Sequence, residues 1–531
     1  MKIVDTAQMR NLEQAAVREG VGTETLMENA GLAIAEEAMD QLAKPRGSRV
    51  LVLIGPGNNG SDGLIAAKQL HQLGVRVSIY VCVPRRSPDH RITEMKERGV
   101  PVIEESEDSG RRLLVQYLKN ASLVIDAVLG CGNLRPITQP LEGILSEVAT
   151  TCYRLDTPVI AVDVPTGLNA DTGELDKSFV SATSTVALSN PKLGHVTFPG
   201  ATAVGKLKVV DIGIPHDLDD HLSVELISDH LVTSLLPQRP IDSHKNTFGR
   251  LLVVAGSRRY VGAACLACNG AYRAGAGLVT LAAPQQVYEI VASELIETTH
   301  VPLSSTASGG IDILALQTIQ EIVVDYDAVL LGCGLGQDPE TQQFINGLLL
   351  DNPLLAATPL IIDADGLNAL ATLPGWSPFL TAPAVMTPHP GEMSNLTKLP
   401  TSQIQAQKLA TAQTWAKNWL QVVVLKGAHT IVASPDGTIR VSPFANPALA
   451  SAGTGDVLAG IIGGLVAQGL DPFDAATCGV YLHGAAAESL SQTIGDAGLM
   501  AGDLLSQIPK QIKQLGDSLE TRYSRMSTDR N

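Results

Sequence analysis

The residues best equipped for chemistry lie at Gly453-Thr454-Gly455-Asp456, inside a stretch that begins Asn446-Pro-Ala-Leu-Ala-Ser-Ala and then runs apolar to Gly469. Glycines here let backbone N–H groups converge on an anion, and a helix starting at this point aims the positive end of its dipole at the same spot. Asp456 stands at the start of that helix. A phosphate cradle beside one carboxylate suits phosphoryl transfer to a hydroxyl, with the carboxylate as base. Asp is also a favoured helix cap, so these residues alone leave both readings of Asp456 open.

Other clusters in the second half could join this one. Gly332-Cys-Gly334-Leu-Gly336 follows an apolar run and fits either a close approach of ligand to backbone or an ordinary tight turn. Asp363-Ala-Asp365 ends another run, where capping is the simpler reading. His389, between Pro388 and Pro390 and beside Glu392, has its backbone nearly fixed, which a mere loop seldom needs. Lys426-Gly427-Ala428-His429-Thr430 sets a cation and donors just past a strand, which suits a nucleotide phosphate; a hairpin connection with a solvated lysine is the alternative reading.

The first half has its own glycine loop, Gly55-Pro56-Gly57-Asn58-Asn59-Gly60-Ser61-Asp62-Gly63. It satisfies G-x-G-x-x-G, but the acid expected about twenty residues later is missing, and the next strand runs out at Val83-Pro84-Arg85-Arg86. That counts against an ordinary nicotinamide dehydrogenase. Asp62 reads first as a helix cap. Asp126 and Asp163 each end an apolar run, followed by Gly130-Cys131-Gly132-Asn133-Leu134-Arg135-Pro136 and by Val-Pro-Thr166-Gly167. Taken singly, either Asp reads first as a cap of a loop or helix; the whole set, two carboxylates at strand ends beside a glycine loop, suits a proton relay or a cation site.

The elements that must carry these residues alternate strand and helix. In the first half strands are expected at 49–54, 75–83, 122–126, 158–163 and 206–211, with a helix from Leu64. In the second half they are expected at 250–256, 277–282, 327–332, 359–363, 384–387 and 421–426, then a hairpin turning at Pro435-Asp-Gly437. This is a parallel α/β pattern, whose sites gather at the carboxyl ends of strands. Periodicity lapses between Ile214 and Lys245, so two domains are expected, 1–220 and 226–517, with 518–531 a disordered tail.

A chain of 531 residues with 45% hydrophobic and 17% charged residues builds sizeable cores. A net charge of −16 and 4% aromatic residues argue against a nucleic-acid surface. No signal region opens the chain and no run is long enough to span a bilayer, so neither a membrane nor a nucleic acid is expected as partner. Seven scattered cysteines fit a reducing cytoplasm, and Cys265-Leu-Ala-Cys268 reads as small packing residues on a helix.

Taken together, these motifs resemble the bifunctional NAD(P)H-hydrate repair enzymes. The first half does so through Leu26-Met-Glu-Asn-Ala-Gly31, Pro56 to Gly63, Asp126 with Gly130 to Pro136, Asp163 to Gly167 and Asn190-Pro-Lys192. The second does so through Gly336, His389, Lys426 to Thr430 and Gly453 to Asp456. The resemblance implies a Rossmann-like epimerase domain followed by a ribokinase-like dehydratase domain. It implies hydrate contacts at Asn58, Asn59, Gly60, Ser61, Asp62, the 130–136 loop and Asp163, with Asp163 and Lys192 among the catalytic residues. It also implies K+ held by Asn59, Asp126 and Thr166. In the second half it implies hydrate contacts at Ala263, Gly336, His389 and Asp456, and nucleotide contacts at Lys426, Gly427, Ala428, His429, Thr430 and Gly455. The implied substrates are NADHX and NADPHX, the implied cofactors ADP (or ATP) with Mg2+, and a homo-oligomer is expected. The rival readings are a ribokinase-like small-molecule kinase with an accessory first domain, and a first half that only binds a partner.

Overall fold

The computed structural model describes residues 1–85, 89–132, 135–350 and 352–528, with backbone alone from 518. Arg86, Asn133 and Leu134 thus lie outside the described residues. Two compact units result, Met1–Val224 and Glu225–Asn531.

The first unit is built on β1 (Arg49–Ile54), β2 (Arg76–Val81), β3 (Val102–Glu104), β4 (Leu123–Ala127), β5 (Val159–Val162), β6 (Ser184–Leu188) and β7 (Lys206–Val210). They lie in the order β3-β2-β1-β4-β5-β6-β7, all parallel. Val50, Val52 and Ile54 enter one core while Leu51 and Leu53 enter another. Burial on both faces is why β1 reads as an unbroken apolar run. Strand order reverses between β1 and β4, which opens a crevice at their carboxyl ends.

Two expectations need correction here. The helix expected from Leu64 begins at Asn58 and runs to Gln72. Asn and Gly are poor helix formers, but close packing overrides propensity: a Cβ on Gly63 would lie 2.5 Å from the Ala127 side chain. Strand β6 escaped the reading because it opens with two hydroxyls. Both are satisfied internally: Ser184 Oγ accepts from Gln41 Nε2 at 2.6 Å, and Thr185 Oγ1 donates to Val204 O at 2.7 Å.

The ten-stranded sheet of the second unit contains β8 (Val224–Leu226), β9 (Arg250–Val254), β10 (Leu278–Pro284), β11 (Thr299–Leu303), β12 (Ala328–Leu331), β13 (Leu360–Ile362), β14 (Ala384–Met386), β15 (Val422–Leu425), β16 (Ile431–Ala433) and β17 (Ile439–Val441). The order is β11-β10-β9-β12-β13-β14-β15-β16-β17-β8. Pairings from β11 to β15 are parallel, and the expected hairpin, β16–β17, continues the sheet antiparallel. Helix Thr454–Ala467 is buried almost throughout and lies on helix Val261–Arg273. A Cβ on Gly460 would meet Ala267 O at 2.1 Å, so only glycine permits this approach. Cys268 is buried and Cys265 half-buried on that second helix, both as free thiols, as expected.

The interval read as a linker is partly core. Ile227 N donates to Val441 O at 2.9 Å, Ser228 caps helix Asp229–Leu235, and Val232 is fully buried in the second unit. The last helix, Ala501–Thr528, continues into the segment expected as a tail, because Leu504, Ile508 and Leu515 bury one stripe of it. Among the described residues no helix is long and apolar enough to cross a membrane.

Candidate active sites

In the first unit the strands deliver their residues to one chamber of about 600 Å³. Asn58, Asn59, Asp62, Gly130, Cys131, Gly132, Arg135, Asp163 and Lys192 all line it. Gly60 and Ser61 instead stand behind the wall, and Pro136 lines a smaller neighbouring pocket. Lys192 is completely buried and pairs with Asp163. Its Nζ also donates to Leu188 O at 3.1 Å, and Leu188 N donates to Asp163 Oδ1 at 3.1 Å. Asp163 holds φ +63°, a left-handed backbone that costs a Cβ-bearing residue about 1 kcal/mol. Strain of this kind collects where a side chain must be aimed.

Asp62 is the fifth residue of its helix, so the capping reading fails. Burial, then the nearby Asp163 and Glu13, lift its carboxyl well above the usual range. Partial desolvation at the chamber wall, then Asp163, raises Glu13 as well, although its side chain is exposed. Glu13 and Arg10, on helix Thr6–Arg18, line the same chamber and had no sequence signal, since only the fold brings that helix to the loop. Arg85 was likewise overlooked. Its guanidinium reaches Gly55 O, Gly57 O at 3.1 Å and Ser61 Oγ at 2.8 Å, and so straps the glycine loop.

Asp126 is fully buried, and burial raises its carboxyl. It accepts from Thr166 N at 2.8 Å, Thr166 Oγ1 at 2.6 Å and Val128 N at 3.3 Å. Gly130 lies against Asn59, whose Nδ2 is buried without a partner. A carboxylate, a hydroxyl and an amide that can turn its oxygen inward are hard oxygen donors, which suit an alkali cation.

In the second unit Cys333, Asp363, Thr387 and Lys426 follow β12, β13, β14 and β15, and Asp456 stands in the first turn of helix Thr454–Ala467. Ligating atoms of Cys333, Asp363 and Asp456 lie within 4.8 Å of one another. Lys426 Nζ meets Asp363 Oδ1 at 2.7 Å and Glu392 Oε2 at 3.8 Å, and Thr387 Oγ1 donates to Asp363 at 2.7 Å. Lys426 is therefore no solvated hairpin residue. A Cβ on Gly455 would sit 3.3 Å from its Nζ.

The two readings of Asp456 now separate. Gly453 is the cap residue and the helix has no side-chain cap, so Asp456 does not serve as one. Burial, then Asp363, raises its carboxyl to about 6. Asp363 makes no capping bond either. His389 does cap: its Nδ1 accepts from Gly391 N at 3.0 Å, while Glu392 Oε2 accepts from His389 N at 2.8 Å. Burial lifts Glu392 to about 7. Gly336 N donates to Asp365 Oδ2 at 2.8 Å, and a Cβ on Gly334 would come within 2.8 Å of Ala263.

The 426–430 loop is shaped by Gly427 at φ +130° and His429 at φ +49°. Lys408, which the sequence did not single out, donates to Ala428 O at 2.7 Å and His429 O at 3.0 Å. Burial lowers this amine to about 7. Thr430 Oγ1 donates to Gly427 O at 2.8 Å.

Two α/β units on largely parallel sheets, one with a buried carboxylate–amine pair in a chamber and one with a raised carboxylate at a helix start, define an enzyme with two centres. A Rossmann-like first domain and a ribokinase-like second were the expected fold class, and the sheets agree with it. Residues 251–510 match the family described as NAD(P)H-hydrate dehydratase, and residues 23–194 match the YjeF-related protein N-terminus. A bifunctional NAD(P)H-hydrate repair enzyme of Moorella thermoacetica is 37% identical over 98% of each chain. Its counterpart in Thermofilum pendens is 35% identical over 99% of each. A solved ADP/ATP-dependent NAD(P)H-hydrate dehydratase from Bacillus subtilis, co-crystallised with ATP/Mg2+, is 34% identical, covering 55% of this chain and 99% of its own at a TM-score of 0.47. The chain belongs to the family of bifunctional NAD(P)H-hydrate repair enzymes.

Proposed function

We infer that each unit carries one half of that repair. The first interconverts the R and S hydrates of NADH and NADPH, and the second dehydrates the S form at the expense of a nucleoside phosphate. The observation that carries this is the presence of two separate acid–base centres, Asp163–Lys192 and Asp456, each at the carboxyl ends of its own sheet.

In the first centre Asp163 takes the hydroxyl proton as the bond from the hydroxyl-bearing ring carbon to the ring nitrogen opens, and Lys192 gives the nitrogen a proton. The carbonyl turns its other face, the nitrogen closes on it, and both protons return. Asn58, Asn59, Gly60, Ser61, Asp62 and the 130–136 loop hold the substrate, directly or from behind the wall. Asp126, Thr166 and Asn59 would hold K+, whose charge would offset the buried carboxylate.

In the second centre Asp456 takes the hydroxyl proton as phosphate is transferred, and phosphate then leaves with help from the ring nitrogen. Ala263, Gly336 and His389 hold the hydrate. Lys426, Gly427, Ala428, His429, Thr430 and Gly455 hold the nucleotide, with ADP favoured over ATP. The Cys333–Asp363–Asp456 cluster fits Mg2+ poorly, because a thiol is a poor ligand for it and Asp363 is already engaged by Lys426, so Mg2+ would be held through the nucleotide and would supply charge neutralisation of its phosphates. Seven free thiols support a cytoplasmic setting.

Separating the units between Val224 and Glu225 tests the division; a cut near Asp229 would strip Ile227 from the second core. The first fragment should epimerise without nucleotide, and replacing K+ by Na+ should slow it alone. The second should dehydrate only the S form and leave about half of a racemic mixture, since R cannot be reached. Clearance of both epimers by the second fragment would refute the scheme.

Lys426→Met probes the second centre differently. Nucleotide affinity should fall more than hydrate affinity. Loss of the cation beside Asp363 and Glu392 should also remove about 3 kcal/mol of stability, seen as a lower melting temperature without ligand. An unchanged melting temperature would mean that Lys426 serves the nucleotide only.

A further inference from the structure

The donor set that suits Mg2+ poorly has a chemistry of its own. Cys333 follows β12 and Asp363 follows β13, and with Asp456 they bring a thiol and two carboxylates within 4.8 Å of one another. All three are withdrawn from bulk water: Cys333 and Asp363 are buried and Asp456 is half-buried. Nothing in the reaction above uses the thiol.

The groups are held in place from outside. Asp363 Oδ1 accepts from Lys426 Nζ and from Thr387 Oγ1, both at 2.7 Å, and Oδ2 is left facing Cys333 Sγ, 3.9 Å away. Outer partners that fix a ligand in this way are a regular part of metal sites. On the thiol side, a Cβ on Gly332 would collide with Asp363 O, so the Cys333 loop packs directly on its neighbour. Room remains opposite, where a Cβ on Gly455 would lie 3.9 Å from Asp363 Oδ2 and the residue has no side chain to fill that space. Asp363, Asp456 and Glu392 all face the ammonium of Lys426, so carboxyl groups outnumber it here and a second cation can be held.

One sulfur and two carboxylate oxygens select zinc over magnesium, which demands an octahedron of oxygens. Zinc takes a tetrahedron, with sulfur at about 2.3 Å and oxygen at about 2.0 Å, which sets its donors roughly 3.5 Å apart. The Cys333–Asp363 separation is close to that already, and the longest of the three has to close by about an ångström. We propose that Cys333, Asp363 and Asp456 form a Zn2+ site, with water as the fourth ligand, and that zinc held there shuts the second centre. As the zinc–sulfur bond forms the thiol proton passes to solvent, and the side chains displace waters from the ion. Asp456 then has its lone pair on the metal and cannot take the hydroxyl proton. The inhibition rests on Asp456 being the base; the site itself does not.

Binding is read without catalysis by titrating the full chain, free of nucleotide, with Co2+ as a spectroscopic stand-in for zinc. A thiolate-to-cobalt charge-transfer band should appear, collapse on addition of Zn2+, and be lost in Cys333→Ser. Dehydration of the S hydrate of NADH is then followed with saturating Mg-ADP across a range of buffered Zn2+. The zinc concentration that halves the rate should rise by about a hundredfold in Cys333→Ser, the upper end of what a lost metal-site partner costs, and a chelator should restore the unaltered chain. Should Cys333→Ser fail to fold, Asp456→Asn serves the cobalt titration, where affinity should fall about tenfold with the band retained. A band that survives Cys333→Ser, equal zinc inhibition of both chains, or undiminished affinity in Asp456→Asn would overturn the site. Cobalt bound as expected but dehydration indifferent to zinc would keep the site and remove Asp456 as the base. A chain that never dehydrates would overturn the functional reading and leave the cobalt titration to decide the site.

Discussion

Asp456→Asn should reduce dehydration by about 10²–10⁴-fold, the usual contribution of a positioned base, with melting temperature unchanged or raised. Asn keeps the shape but cannot take the hydroxyl proton. Stability should not suffer, because the carboxylate caps nothing and is buried beside Asp363, which raises it to about 6. That value also sets the pH dependence. The base must be ionised, so kcat/KM should fall as pH drops through about 6 in the unaltered enzyme, and this limb should vanish from the residual activity of the variant. Dehydration by the variant at close to the original rate would remove Asp456 from the chemistry.

Asp163→Asn should stop epimerisation and leave dehydration of pure S hydrate at its original rate. The second activity on the same chain is the internal control for protein amount and for the fold of the second unit. Loss of the carboxylate also leaves Lys192 buried with Leu188 O as its remaining partner. Breaking a buried pair costs about 3–5 kcal/mol, so the first unit should melt earlier as well. R-to-S conversion at the original rate would sink the assignment.

Much of this protein was legible in its sequence because the signals are local. Apolar runs bounded by glycine and aspartate marked the core strands of both sheets, since a strand buried on both faces admits few polar residues. The glycine loops, Asp163 and Asp456 stood out because close backbone approach and helix starts limit which residues can serve there. Short or polar-headed strands such as β6 and β8 were lost, because their hydrogen-bonding partners lie far away in sequence.

Tertiary structure alone decided which candidates meet and what surrounds each of them. Asp62 and Asp456 both looked like caps, and only the observed helix starts, with the neighbours that raise their carboxyls, separate them from that role. Lys426 looked like a solvated cation until β13 and β15 set it against Asp363. Glu13, Arg85 and Lys408 carried no signal, being one acid or base among many in polar stretches. A charge acquires a function from the groups that surround it in space, and that arrangement is fixed by packing between segments tens or hundreds of residues apart.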